Sequence, residues 1–315
     1  MSIRLETLAL AGVILLVLLL AALSAGRSRS SVATDGSDDG PRLRRDDLIL
    51  MAFGAVPGAI VGGRVSYALV HFDYYAASPG AVTDPAQGGF GLTLAVVLGT
   101  ITAVAVARLL AAPIGRWLGA VALPLLVGLG LGKLTMVLGG VGQGRYSGSA
   151  WATAYAGDGP WASTNPSFPA LPSQAVEGAL VLAVAAVVVI VPPLLRLRIR
   201  RWRRFVRPGL APRHDWSLLT DGRRYLTLLA LWAVVRFAAE FTWRDAHVLG
   251  SFVADQLVLA VVVAACLFGP AVIGGLRRLR RAVAARLGAL RAARRAARLA
   301  AKTARDAQTA GAPDA

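Results

Sequence analysis

Cysteine, histidine and lysine are all scarce in this chain of 315 residues. The single cysteine, Cys266, excludes a disulfide within the chain and a cysteine metal site. The three histidines occur without an HExxH or paired-cysteine pattern, so no structural zinc site is predicted and no cofactor is expected. Among the 34 basic residues only Lys133 and Lys302 are not arginine, so each of these two lysines needs an explanation.

Extended polar stretches are also few, because hydrophobic residues make up 56% of the chain. The mean hydropathy is +0.60. This composition excludes an ordinary soluble domain and predicts an all-α, polytopic membrane protein. The sequence contains seven apolar runs that are long enough to cross about 30 Å of hydrocarbon. They are Leu8–Ser24, Leu48–Phe72, Phe90–Ala112, Trp117–Val141, Ala175–Leu195, Tyr225–Trp243 and Phe252–Ile273.

Arginine is distributed unequally between alternate loops. The first loop has five arginines within residues 27–45, the fifth has ten within 196–224, and the tail after Ile273 has ten and Lys302. The short third loop is bounded by arginines at 108 and 116, whereas the second loop has no Lys or Arg and the fourth and sixth have one arginine each. The positive-inside rule therefore predicts seven transmembrane helices with the N-terminus outside and the C-terminus in the cytoplasm.

Three regions follow from this topology. Residues 1–47 hold the first transmembrane helix and a flexible cytoplasmic loop, residues 48–273 form the transmembrane core, and residues 274–315 form a basic cytoplasmic helical tail. The first span resembles a cleaved signal peptide in part, but most of its nearby arginines follow the apolar run, which favours a retained helix. The tail is expected to lie on an anionic membrane surface. No nucleic-acid partner is expected, because aromatic residues do not interleave its arginines.

Five ionisable residues interrupt the apolar runs at a similar depth. Counting 1.5 Å per residue from the outer ends of the spans places Arg64, Lys133 and Arg236 roughly 10–12 Å below the outer boundary, and Glu177 and Glu240 fall near that level. A charge at the bilayer centre costs about 2.5–3.5 kcal/mol, which favours a hydrated cavity that binds an anionic headgroup. Alternatively, Arg236 pairs only with Glu240, one helical turn away, and the other charges reach the headgroups.

The same charges lie within four sequence motifs. In chain order these are Gly62-Gly63-Arg64 with Tyr67, Gly132-Lys133-Leu134 through Gly144, Pro172-Ser173-Gln174 with Glu177, and Arg236-Phe237 with Glu240-Phe241 and Arg244. Their order, spacing and seven-span setting resemble the prolipoprotein diacylglyceryl transferase (Lgt) family over roughly Asp46 to Ile273. Shorter matches to the family are Gly88-Gly89-Phe90, Trp151 and Gln256.

The chain departs from the family pattern at several positions. Thr93 stands where the family has a histidine, and Lys133 stands where it has an arginine. Met136, Gly139 and Val141 replace two asparagines and a glutamate of the same segment. The resemblance therefore describes a divergent member.

The resemblance implies transfer of a diacylglyceryl group from phosphatidylglycerol to the lipobox cysteine of prolipoproteins, in the plasma membrane of a bacterium. The partners are then phosphatidylglycerol and prolipoprotein signal peptides. The implied catalytic residues are Arg236, which holds the phosphate, and Glu240, which acts as the base or orients Arg236. The implied substrate-binding residues are Arg64, Tyr67, Lys133, Gly144, Gln174, Glu177 and Arg244.

A non-catalytic relative that binds phospholipid or prolipoprotein is the second hypothesis. Thr93 supports it, because a threonine hydroxyl is not a base near neutral pH. A transporter is disfavoured because no inverted repeat is visible in the sequence.

Overall fold

The computed structural model describes residues 5–32, 44–84, 87, 89–140, 142–153, 169–203 and 222–310. Its helices are α1 (Leu5–Val32), α2 (Arg45–Val70), α3 (Phe72–Ala77), α4 (Leu92–Leu109), α5 (Ile114–Leu138), α6 (Ser173–Arg203), α7 (Gly222–Ala239) and α8 (Ala254–Ala310). Short 3-10 turns cover Pro79–Val82 and Glu240–Thr242.

The predicted membrane-spanning architecture is confirmed. Within the described ranges, seven helices are long and apolar enough to cross a membrane. These segments are Leu5–Ala25, Asp46–Val70, Leu92–Leu109, Ile114–Leu138, Ser173–Leu195, Gly222–Thr242 and Ala254–Arg286.

The polar regions of the sequence are only partly described. Helix α1 continues to Val32, so residues 28–32, at the start of the predicted flexible cytoplasmic loop, are helical. Residues 33–43 lie outside the described ranges, as do 204–221 of the arginine-rich fifth loop. Residues 267–315 form a compact unit of their own, separate from 1–266, and are helical through Ala310.

One short element is not helical, in a fold that is otherwise mostly helical as predicted. Between α7 and α8 the chain forms a two-stranded antiparallel ribbon, β1 (His247–Leu249) and β2 (Phe252–Val253). Gly250 turns the ribbon with a φ of +59°, a conformation that glycine adopts without steric cost. Strands this short carry too few alternating residues to produce a period-2 pattern, so the ribbon has no clear sequence signal.

Two apolar clusters hold the helices together. In the first, α5, α6, α7 and α8 meet around Leu126, Val181, Trp232 and Leu259, each no more than 2% exposed. In the second, Ala21 and Ala25 of α1 pack with Trp117 of α5. Helix α1 is therefore an integral part of the bundle.

Helices α2 and α4 approach closely along a row of small residues. Gly54, Gly58 and Gly62 recur every four residues, so they lie on one face of α2. A Cβ atom added at Gly58 or Gly62 would overlap the backbone carbonyl of Leu98 or Leu94, respectively. Small residues at this spacing are how membrane helices bring their backbones into contact.

We expect Gly62→Ala to destabilise the bundle by about 1–3 kcal/mol, because the added methyl group would collide with backbone that cannot rotate away. Thermal unfolding in detergent measures the change. Gly12→Ala in α1 is the matched control, since a Cβ atom there meets no atom within 4 Å. Equal melting temperatures for the two variants would contradict the close α2–α4 contact.

The chain direction brings six helix ends together. The last turns of α2, α5 and α7 lie beside the first turns of α4, α6 and α8, as contacts among Ser66, Thr93, Lys133, Glu177, Arg236 and Asp255 show. We call this the charged end of the bundle, because those side chains are polar and buried there.

Candidate active site

Five ionisable side chains form a buried cluster at the charged end. They are Lys133, Glu177, Arg236, Glu240 and Asp255, none of them more than 7% exposed. We call this set the charge cluster. Buried charges are tolerated only when they are paired and hydrogen-bonded, and each member of this cluster is paired.

Arg236 is the centre of the charge cluster. Its Nη1 lies 2.8 Å from Oε1 of Glu177, and its Nη2 lies 2.8 Å from Oε1 of Glu240 and 2.9 Å from Oδ2 of Asp255. The planar guanidinium presents its donors in a fixed fork, so a single arginine can contact three carboxylates on three helices. The alternative in which Arg236 pairs with Glu240 alone is therefore wrong.

Glu177 connects the two cations. Its Oε1 accepts from Arg236, while its Oε2 lies 2.9 Å from Nζ of Lys133. The Lys133 ammonium also lies 4.4 Å from the ring centroid of Trp243, within cation–π range. These contacts locate Lys133 and Arg236 on either side of one carboxylate.

Thr93 and Ser66 complete the surroundings of Asp255. The Thr93 hydroxyl donates to Oδ2 of Asp255 at 2.7 Å and accepts from Nε of Arg236 at 3.1 Å. The Ser66 hydroxyl donates to Oδ1 at 3.4 Å. Both oxygens of Asp255 are thus occupied, whereas Oε2 of Glu240 has no hydrogen-bond partner among the described residues.

A cavity of about 500 Å³ opens beside the charge cluster. Lys133, Arg236, Glu240 and Asp255 line it, together with aromatic and apolar side chains from α1, α2, α4 and α5. An apolar cavity of about 360 Å³ lies between α1, α2, α4 and α5. Leu92 and Ala95 border both cavities, so polar and apolar space adjoin.

A polar chamber beside an apolar one inside a seven-span bundle suits an amphiphilic ligand. The comparison with known families agrees, because a model described as prolipoprotein diacylglyceryl transferase matches residues 7–272. The chain belongs to this family. No curated protein matches it. Membership identifies a multi-pass membrane protein of the transferase class that acts in lipoprotein biosynthesis.

Four of the family-motif residues predicted from the sequence come together in the charge cluster. They are Lys133, Glu177, Arg236 and Glu240. Tyr67 lines the same cavity, and its ring lies 4.2 Å from that of His71 between centroids.

Three other family-motif residues lie away from the cavity lining. Gly144 donates its N–H to the Leu171 carbonyl at 2.8 Å, and its own carbonyl accepts from Nε of Arg244. The Arg244 guanidinium also covers the Tyr146 ring at 4.2 Å. Gln174 is fully buried. In this structure Gly144 and Arg244 join the loop after α5 to the end of α7.

Arg64 was predicted to lie at the depth of Arg236, but its surroundings differ from those of Arg236. Its guanidinium donates to five backbone carbonyls in the loop after α3, including those of Val82 at 2.7 Å and Gly89 at 3.2 Å. The other three acceptors are Ala81, Asp84 and Gln87. In this structure Arg64 therefore holds a loop and makes no contact with the charge cluster.

We expect Arg64→Lys to loosen that loop, because one ammonium cannot satisfy five carbonyls arranged around a planar fork. Losing one charge-assisted hydrogen bond costs about 1.5–3 kcal/mol, so amide exchange in the described residues 79–89 should quicken about 10–100-fold. Arg278→Lys, at an exposed position on α8, is the control. Unchanged exchange in Arg64→Lys would contradict the loop-holding role.

Sequence reasoning missed three residues at this site, namely Asp255, Asp245 and His71. Asp255 and His71 lie at ends of apolar runs, where polar residues are ordinary. Asp245 lines the cavity just beyond α7, and partial burial raises the pKa of its carboxyl while nearby His71 lowers it. A signal for Asp255 existed, because it directly precedes Gln256, which matches the family pattern.

Proposed function

We propose that this protein transfers a diacylglyceryl group from phosphatidylglycerol to the lipobox cysteine of prolipoproteins. The cysteine sulfur forms a bond to the terminal glycerol carbon, and the bond from that carbon to the phosphate oxygen breaks. The electron pair leaves with glycerol phosphate, and the thiol proton is lost to a base. A thioether is the product.

The observation that carries this proposal is the pair of cations Lys133 and Arg236 at the wall of a cavity that adjoins an apolar one. The headgroup phosphate is proposed to contact both cations, with the acyl chains in the apolar cavity. Preorganised cations stabilise charge that develops on a leaving phosphate, because they need no rearrangement during the reaction.

The carboxylates fix the positions of the two cations and set the net charge of the site. Glu177 and Glu240 position Arg236, and Glu177 also positions Lys133. With all members ionised, two cations meet three carboxylates, so the charge cluster has one net negative charge. The phosphate therefore competes with carboxylates for the same donors, which limits how tightly the phosphate is held and favours release of the product.

The orientation belongs to the same proposal. With the N-terminus outside and the C-terminus in the cytoplasm of a bacterial plasma membrane, the charged end faces the side to which prolipoproteins are exported. The arginine-rich residues 277–305 are then cytoplasmic and are proposed to bind anionic lipid.

Complementation tests the function directly. The protein is expressed in a bacterial strain depleted of its own transferase, and the mass of a reporter lipoprotein is measured. We expect the diacylglyceryl mass increment on the lipobox cysteine. Good expression without that increment would overturn the proposal in favour of a relative that binds phospholipid or prolipoprotein without transfer, the reading that Thr93 supports.

A further inference from the structure

The proposed transfer needs a base that the charge cluster does not provide. The thiolate is the nucleophilic form of cysteine, so the thiol proton has to be accepted near the reacting carbon. Glu177 and Asp255 have both carboxylate oxygens occupied. Glu240 has a free Oε2, but a proton there would weaken its ion pair with Arg236 while that arginine holds the phosphate.

His71 lies on the wall of the same cavity. It stands between α2 and α3, where the helix direction breaks at a φ of −110° and a ψ of 43°. Its backbone is tied to Tyr67 and Tyr75 by hydrogen bonds. Its ring rests against the Tyr67 ring, so the imidazole is held at the cavity wall.

The imidazole of His71 is free to react. Among the described residues, neither of its ring nitrogens has a hydrogen-bond partner, although the side chain is half-buried. Asp245 is an electrostatic neighbour of His71. The other charged or titratable groups that line the same cavity are Glu6, Tyr67, Lys133, Arg236, Glu240 and Asp255.

We propose that His71 is the catalytic base of this protein, taking the place of the histidine that Thr93 replaces. The inference rests on the proposed transfer. The cysteine thiol gives its proton to the His71 imidazole as the sulfur bonds to the glycerol carbon, and the carbon–oxygen bond to phosphate breaks. Because His71 is only half-buried, the imidazolium can pass its proton to water and be ready for another cycle.

The test compares two acceptor peptides with the same purified variant. The full-length protein, in detergent micelles with phosphatidylglycerol, receives a lipobox peptide that contains either cysteine or selenocysteine. A selenol is largely ionised at neutral pH and needs no base. We expect His71→Gln to slow transfer to the cysteine peptide by about 10²–10⁴-fold, a range typical of losing a general base. Transfer to the selenocysteine peptide should fall by less than about 10-fold, since that step bypasses general base catalysis.

The ratio of the two rates does not depend on how much variant folds, because both peptides meet the same preparation. His247→Gln, an exposed histidine outside the cavity lining, should keep the wild-type ratio. Equal losses on both peptides, or no loss on either, would overturn the role of His71 while leaving the proposed transfer standing. A wild-type protein that modifies neither peptide would overturn the transfer itself, and this role with it.

Discussion

Replacing Arg236 with alanine should abolish diacylglyceryl transfer. The guanidinium joins Glu177, Glu240 and Asp255, and it is one of two cations proposed to contact the phosphate. Removing a single preorganised donor commonly costs about 10²–10³ in rate, and removing a charged fork that also holds three carboxylates should exceed that. We therefore expect no detectable lipidated reporter in the depleted strain.

Arg236→Lys distinguishes loss of charge from loss of shape. An ammonium keeps the positive charge but cannot contact carboxylates on three helices with fixed geometry. We expect partial folding and strongly reduced transfer. Arg278→Ala, at an exposed position, controls for the loss of an arginine as such. Normal lipidation by Arg236→Ala would show that the charge cluster is not the active site.

Replacing Glu177 with glutamine should have the largest effect on stability. Glu177 is fully buried and is the carboxylate that Lys133 contacts, so the variant leaves an ammonium in the bundle without its counter-ion. Breaking a buried pair from one side costs about 3–5 kcal/mol. Thermal unfolding in detergent should show this loss, although glutamine preserves the size of the side chain.

A double-mutant cycle then isolates the pair. Lys133→Met removes the ammonium, so the double variant Lys133→Met with Glu177→Gln should lose less stability than the sum of the two single variants, by an interaction energy of about 0.5–3 kcal/mol. The comparison is informative because Arg236 keeps two other carboxylates in every variant. Additive effects of the two substitutions would mean that the 2.9 Å contact contributes no coupling.

Depth along each span was predictable from the sequence. A regular helix converts residue number into height, so Lys133, Glu177, Arg236 and Glu240 could be assigned to one layer before any contact was known. Residue number gives the height of a side chain along the helix, but it does not show towards which neighbour that side chain points. The same count assigns Arg64 to this layer, yet its side chain turns towards a loop whose course has no periodic pattern.

The ends of the spans were harder to interpret. Asp255 and His71 lie where an apolar run gives way to a loop, and a polar residue there costs little, so neither stands out. What makes them part of the site is the meeting of six helix ends, a property of tertiary structure. The four-residue spacing of the α2 glycines is visible in the sequence. That spacing does not indicate which helix packs against them.

The glycine row also restricts how a bilayer lipid reaches the interior. Backbones in contact at Gly58 and Gly62, with the Val106 side chain packed against Gly54, leave no gap wide enough for an acyl chain between α2 and α4. Separating those helices would expose peptide groups to hydrocarbon, where water cannot replace lost contacts. The contact between α2 and α4 is consequently closed to lipid. A donor phospholipid that diffuses laterally from the bilayer has to enter the two adjoining cavities between another pair of helices.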